Sequence, residues 1–416
     1  MIAWVHTLGV AALTLTLAAQ GAPAPVAEVS LEDIFTIPDL ISGVADSISS
    51  VIDGGSKVPS IFKENPELFK LHADLVKIES ISGNEYGVSR YLRKYLSDLN
   101  LGFELNVDES RRNIYAFSGT ENSSVLLTSH IDTVPPYIHY SIAQDENGET
   151  RIYGRGSCDA KGSVAAQIIA AKELVEDGLV KPEELGLLYV FQEEVGGAGM
   201  LLANDYFNNN SITWDAVIFG EPTENKLATG HKGIYLADIE VKGKASHSGY
   251  PEVGIDANKI LIEIMHEIES YPWPTSEILN TTTVNIGLFQ GGTAGNVVSP
   301  HASCKVLMRT PVDSDLIAPV VAQIVEKHLP EALEIQFNVD VTDDPTFLDY
   351  QVPGFDTYIA SYATDIPKLD HKNFTRYLYG PGTILVAHGD DEYVTAESLL
   401  QAVDDYKKLV LFSLGR

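Results

Sequence analysis

An α/β chain of at least two domains, one interrupted by an inserted α+β unit, is what this sequence predicts, and three observations carry that expectation. At 416 residues the chain can bury a large core and divides into more than one domain. Short apolar runs of strand length, such as Val125–Thr128, Leu185–Phe191 and Ala216–Phe219, are mixed with helical runs such as Ser163–Leu174 and Glu397–Ser413. Between Ile234 and about Val341 the order changes to strand, helix, strand, strand, helix, strand.

The N-terminus reads as a secretion signal over residues 1–20, with an apolar stretch from about Val5 to Ala19 followed by small residues. No Lys or Arg precedes it, and it is too short to span a membrane stably. Residues 21–60 carry scattered Pro, Ser and Gly and read as a linker or pro-segment.

Residues 61–233, with 343–416, form the first expected domain, and five patches along it bear a candidate metal ligand at or after a strand end. Ser129-His130-Ile131-Asp132 follows the run Val125–Thr128, and Asp132 can reach the second ring nitrogen of His130 and set its tautomer. Asp159 lies in the glycine-rich Gly154–Gly162, and Glu193-Glu194 closes the run Leu185–Phe191. Two adjacent carboxylates there can divide the work, one holding a metal and one moving a proton. Glu221 follows Ala216–Phe219, and His388 precedes Gly389-Asp390-Asp391-Glu392. Singly, each reads as a cap or a solvated turn; together they form the donor set of a hard or borderline divalent ion.

Residues 234–342 are the inserted unit, with strands near Tyr235–Val241, Thr283–Phe289, Ala302–Met308 and Glu334–Val341, the order of a ferredoxin-like domain. Its notable residues are His247 in Ser246-His247-Ser248-Gly249, Asn296 in Gly295-Asn296-Val297, and Arg309 at a strand end, where a guanidinium suits bidentate capture of a carboxylate. A surface loop histidine and a strand-capping arginine are the plain alternatives.

The formal charge of −30, from 58 acidic and 28 basic residues, argues against nucleic acid and anionic membranes as partners. Two cysteines, Cys158 and Cys304, do not make a disulfide framework, and Cys158 is expected to be a buried free thiol. Sequons at Asn122, Asn209, Asn280 and Asn373 offer glycosylation sites to a secreted chain.

In order and wording, the five patches resemble the M20 metallopeptidases, the group of glutamate carboxypeptidases, aminoacylases and succinyl-diaminopimelate desuccinylases, from about Pro66 to the C-terminus. The resemblance implies a mixed-sheet zinc-hydrolase catalytic domain with an inserted lid or dimerisation domain. It implies two zinc ions per chain bridged by Asp159, one completed by His130 and Glu221 and the other by Glu194 and His388. Glu193 would be the general base, Asp132 would orient His130, and His247 would help stabilise an oxyanion, often in a partner subunit's site. Asn296, Arg309 and Gly382, in Gly380-Pro381-Gly382-Thr383, would touch substrate.

The expected activity is hydrolysis of amide bonds in short peptides or N-acyl amino acids with a free carboxylate, by a secreted, carboxypeptidase-like enzyme that can form a homodimer through the lid. The alternatives are an aminoacylase or another amidohydrolase acting on a non-peptide amide, and a non-catalytic binding protein on the same fold.

Overall fold

The computed structural model describes residues 59–416 except Asn100, Asp108, Glu109, Arg111, His371 and Lys372. The expected signal peptide and nearly all of segment 21–60 lie outside the described residues. Six strands form the central sheet, in the order Glu104–Val107, Ile114–Phe117, Leu185–Val190, Val125–His130, Ala216–Gly220, Thr375–Tyr379. The first two pairings are antiparallel and the other three parallel, so the sheet is mixed, as the resemblance implied. Its three middle strands are buried at every residue, which is why they read as unbroken apolar runs.

Register aligns the ends of the parallel strands. His130 sits opposite Val190, while Gly220 sits opposite both Ser129 and Tyr379. All four strands therefore finish at one edge, where open α/β sheets gather their ligand sites.

Behind that edge lies the helix Lys161–Glu176, buried along most of its length and packed against the Val125–His130 strand and the C-terminal helix Ala396–Ser413. The close approach depends on small residues. A Cβ on Gly220 would stand 2.7 Å from both Ser163 Cβ and Gln167 Nε2. The C-terminal helix begins where the Thr395 hydroxyl accepts the Ser398 N–H, an N-cap that holds its first turn.

The inserted unit has four antiparallel strands in the order Thr283–Gly291, His301–Thr310, Gly233–Lys242, Glu334–Asp343. In chain order that is second, third, first, fourth, the ferredoxin-like arrangement read from the sequence. Alternate side chains, including Tyr235, Ala237, Ile239 and Val241, join Ala302, Cys304, Val306 and Met308 in a core shared with helices Ala257–Ser270 and Ala318–Lys327. Among the described residues no helix is long and apolar enough to cross a membrane.

Candidate metal centre

His130 is the last residue of its strand and is buried. Its Nε2 lies 3.1 Å from Asp159 Oδ1 and 3.6 Å from Glu221 Oε1. On the other side of the ring, Nδ1 meets the main-chain carbonyl of Asp132 at 3.0 Å and its carboxylate at 3.4 Å. The orienting contact expected of the Asp132 side chain is thus made mainly by its backbone. Its carboxylate is engaged elsewhere, accepting the Ser82 hydroxyl at 2.7 Å and the N–H groups of Glu193 and Glu194 at 3.0 and 3.3 Å. Asp132 therefore ties the His130 strand end to the loop bearing the two glutamates.

Asp159 is held by Glu392, a residue that its own sequence surroundings do not single out. Glu392 is fully buried, and its Oε1 accepts the N–H groups of Gly156, Cys158 and Asp159 at 2.9, 3.2 and 3.1 Å. Oε2 takes the buried Arg155 guanidinium at 2.7 Å. Three backbone bonds to one oxygen fold the glycine-rich segment into a rigid turn. Cys158 within it is a free buried thiol; burial pushes its pKa well up and its Sγ faces Thr383 O at 3.4 Å, which does not suit a thiolate ligand.

The turn aims the Asp159 carboxylate in two directions. Oδ1 faces His130, itself beside Glu221, whereas Oδ2 lies 3.3 Å from His388 Nε2, which is 3.0 Å from Glu194 Oε2. Ligands about 2.0–2.1 Å from a tetrahedral ion stand roughly 3.3 Å apart, so these separations match two donor sets sharing one aspartate. The donors, imidazole nitrogens and carboxylate oxygens, fit zinc and similar divalent ions.

Charge in the cluster is arranged to exchange protons for cations. Hydrogen bonds that the His388 ring donates to the Asp159 and Glu194 carboxylates raise its pKa to about 10. Burial drags His130 down, but Glu221, Asp132 and Asp159 outweigh it and hold the ring well above the usual value. Burial, with the neighbouring carboxylates, pushes Glu193, Glu194 and Glu221 up. Burial opposes ionisation of Asp159, yet His130 and His388 keep it well below the ordinary carboxylate range.

Without metal, these shifts make the stability of the fold depend on pH. His388 is raised above its unfolded value of 6.5, so its contribution is complete below pH 6.5 and is lost as pH rises through about 10. The raised glutamates act in the same direction, because ionising them in the fold becomes costly as pH rises above their unfolded range. Asp132 and Asp159 are lowered and lose their contribution only in acid, outside this window. Chelated protein is therefore expected to melt at lower temperature at pH 10 than at pH 6.5, and saturating Zn2+ should shrink the difference because ions replace the protons. A melting temperature of chelated protein that does not fall over this interval would rule the account out.

Of the other expected site residues, His247 and Asn296 lie together: His247 bridges to Val297, and Ser248 N–H donates to Asn296 O. Both are exposed, and among the described residues no hydrogen bond or ion pair joins either to the five donors. Gly382 packs tightly, since a Cβ would stand 2.5 Å from Cys158 Sγ; its N–H donates to Ser398 and its carbonyl accepts from Glu224, leaving the scaffold as its visible role. The asparagines of all four sequons are exposed.

Arg309 is the penultimate residue of its strand, opposite Ile234 near the start of the inserted unit. Its charge and that of Lys368, a residue sequence reading missed, both bear on buried His231. Lys368 closes the short turn Ile366–Lys368 and lies over the glutamate loop, where a Cβ on Gly197 would be 2.5 Å from its Cδ. Neither cation has a hydrogen-bond or ion-pair partner among the described residues. Asp365, also missed, is buried beside His130 and is pushed to about 6 by burial, against the pull of Lys368.

Fold and donors together define a metal-dependent hydrolase of α/β architecture. The family described as peptidase dimerisation domain, of the M20 group, matches residues 229–334. A peptidase M20 domain-containing protein of Schizosaccharomyces pombe is 42% identical over 343 residues, covering 81% of this chain and 82% of the relative. A probable carboxypeptidase of Ajellomyces dermatitidis is 40% identical over 369 residues, covering 80% and 84%. Among solved structures, a Staphylococcus aureus tripeptidase superposes with a TM-score of 0.68 over 84% of this chain and 99% of that one, at 19% identity, a likeness of fold alone. The chain belongs to the M20 peptidase family.

Proposed function

We propose that this protein is a secreted, dinuclear zinc exopeptidase that removes residues from the free C-terminus of short peptides. The observation that carries the dinuclear reading is the Asp159 carboxylate, whose two oxygens face two separate His/Glu pairs. Bound there, zinc would polarise the scissile carbonyl and lower the pKa of attacking water toward neutrality. The ligands are His130, Glu221, Asp159, Glu194 and His388. Glu193, beside them and raised by burial, takes the proton from the attacking water and returns it to the leaving nitrogen. Asp132 fixes the positions of both adjacent glutamates through their N–H groups.

A free carboxylate on the substrate is the feature the basic pair Arg309 and Lys368 suits, in a chain otherwise rich in acid. Replacing Arg309 with Ala is expected to raise KM roughly ten- to hundred-fold for peptides with a free C-terminus, the worth of a hydrogen bond to a charged group. C-terminally amidated analogues should hardly change. If KM rose equally for both, or if peptides were trimmed from the N-terminus with blocked C-termini tolerated, the carboxylate reading would fail. N-acyl amino acids present the same carboxylate, so an aminoacylase remains the second reading, and relative kcat/KM on dipeptides and acyl amino acids decides between them.

The lid supports a homodimer. Leu288, Phe289, Val339 and Val341 are exposed on its outer strands, and among the described residues no hydrogen bond or ion pair joins His247 to its own chain's donors, as expected of a residue that serves a partner's site. Secretion rests on the apolar stretch Val5–Ala19, and glycosylation on the exposed Asn122, Asn209, Asn280 and Asn373.

A further inference from the structure

We propose that the inserted unit carries a separate divalent-cation site, formed by Glu263, His328 and Glu331 and suited to Zn2+, that staples its two helices together. Glu263 and Glu267 lie four residues apart on one face of the helix Ala257–Ser270. His328 ends the helix Ala318–Lys327, and Glu331 lies in the turn Leu329–Glu331 that follows. The two helices pack against each other, which brings the four side chains into one cluster.

His328 is only 2% exposed, and its two nitrogens are in different situations. Nε2 pairs with Glu267 Oε1 at 3.0 Å, an oxygen that Lys327 Nζ also reaches at 2.7 Å. With the proton on Nε2, Nδ1 carries the lone pair. Nδ1 is buried, has no hydrogen-bond partner, and has Glu331 Oε1 at 3.4 Å. Ligand atoms of Glu263, His328 and Glu331 all lie within 4.8 Å of one another.

A lone pair turned toward the Glu331 carboxylate is repulsive unless something positive lies between them. A proton on Nδ1 would draw Glu331 into a charge-assisted bond of about 2.7–2.9 Å. The observed 3.4 Å is instead close to the spacing of two ligands on one tetrahedral ion, roughly 3.3 Å. Glu267 then plays the part of the carboxylate that fixes the tautomer of a metal-binding histidine. Two carboxylates and an imidazole suit zinc and leave a fourth position for water.

The test uses the full chain, stripped by chelation and dialysed against Zn2+ alone, with metal per chain, melting temperature and kcat/KM measured for wild type, Glu263→Gln and Glu331→Gln. Both side chains are partly exposed, so the substitutions leave the fold intact. Each variant is expected to hold one Zn2+ fewer than wild type, to lose part of the zinc-dependent rise in melting temperature, and to keep wild-type kcat/KM. Glu267→Gln should keep the ion but weaken its binding roughly 10–100-fold. Equal zinc content in wild type and both ligand variants would overturn the site, and would leave the five-donor centre untouched.

Discussion

Replacing Glu193 with Gln is expected to lower kcat on a dipeptide by about 10³-fold, within the range typical of a lost general base, while metal content stays at the wild-type level. The separation of the two effects comes from geometry. Glu194 lies 3.0 Å from His388 in one donor set, whereas the Glu193 carboxylate has no hydrogen bond or ion pair among the described residues. Its main-chain N–H is anchored to Asp132 at 3.0 Å, which positions the side chain without engaging its carboxylate. Burial, with Asp365, Glu194 and Asp159 nearby, holds its pKa well above the ordinary value, as suits a group that must accept and return a proton near neutral pH. Glutamine keeps the shape and removes the titration. If Glu193→Gln lost metal along with turnover, the roles of the two adjacent glutamates would have to be exchanged.

The largest effect on stability is expected at Glu392. Truncation to Ala leaves the Arg155 guanidinium buried without its carboxylate and strips three N–H groups of their acceptor. Breaking a buried charge pair in this way costs about 3–5 kcal/mol, read as a fall in the denaturation midpoint. Because the freed N–H groups include that of Asp159 itself, zinc affinity should fall in the same variant, although Glu392 touches none of the other donors. Glu392→Gln, which can still accept from some of these groups, should lie between wild type and Ala on both measures. Wild-type zinc affinity in Glu392→Ala would separate the scaffold from the site.

Much of this arrangement could be read in the sequence because each donor ends or follows a distinct local pattern. His130, Glu194 and Glu221 follow apolar runs that became the parallel strands, and register brings those ends to one edge. The inserted unit was legible for a different reason: its strands alternate, as Gly233–Lys242 and His301–Thr310 do, since one face is covered by helices and the other is not. Glu392 was not legible. It stands in an acidic run, Asp390-Asp391-Glu392, and its importance comes from a turn more than 200 residues earlier that only the folded chain brings near. Lys368 and Asp365 arrive on a short turn with no periodic signal, and their relevance depends on the loop they pack against. Asp132 was legible as a residue but not in its contacts, because backbone and side chain divided the expected work between them.

The bond between Glu392 and the Asp159 turn joins positions 233 residues apart. At about 5–20 residues per second, a ribosome needs roughly 10–50 seconds to travel that distance. Through that interval the nascent chain has Asp159 but lacks both the carboxylate that shapes its turn and His388. A hydrolase built this way stays silent until His388 and Glu392 have been made, so a product that stops short of them would be inert toward the peptides around it.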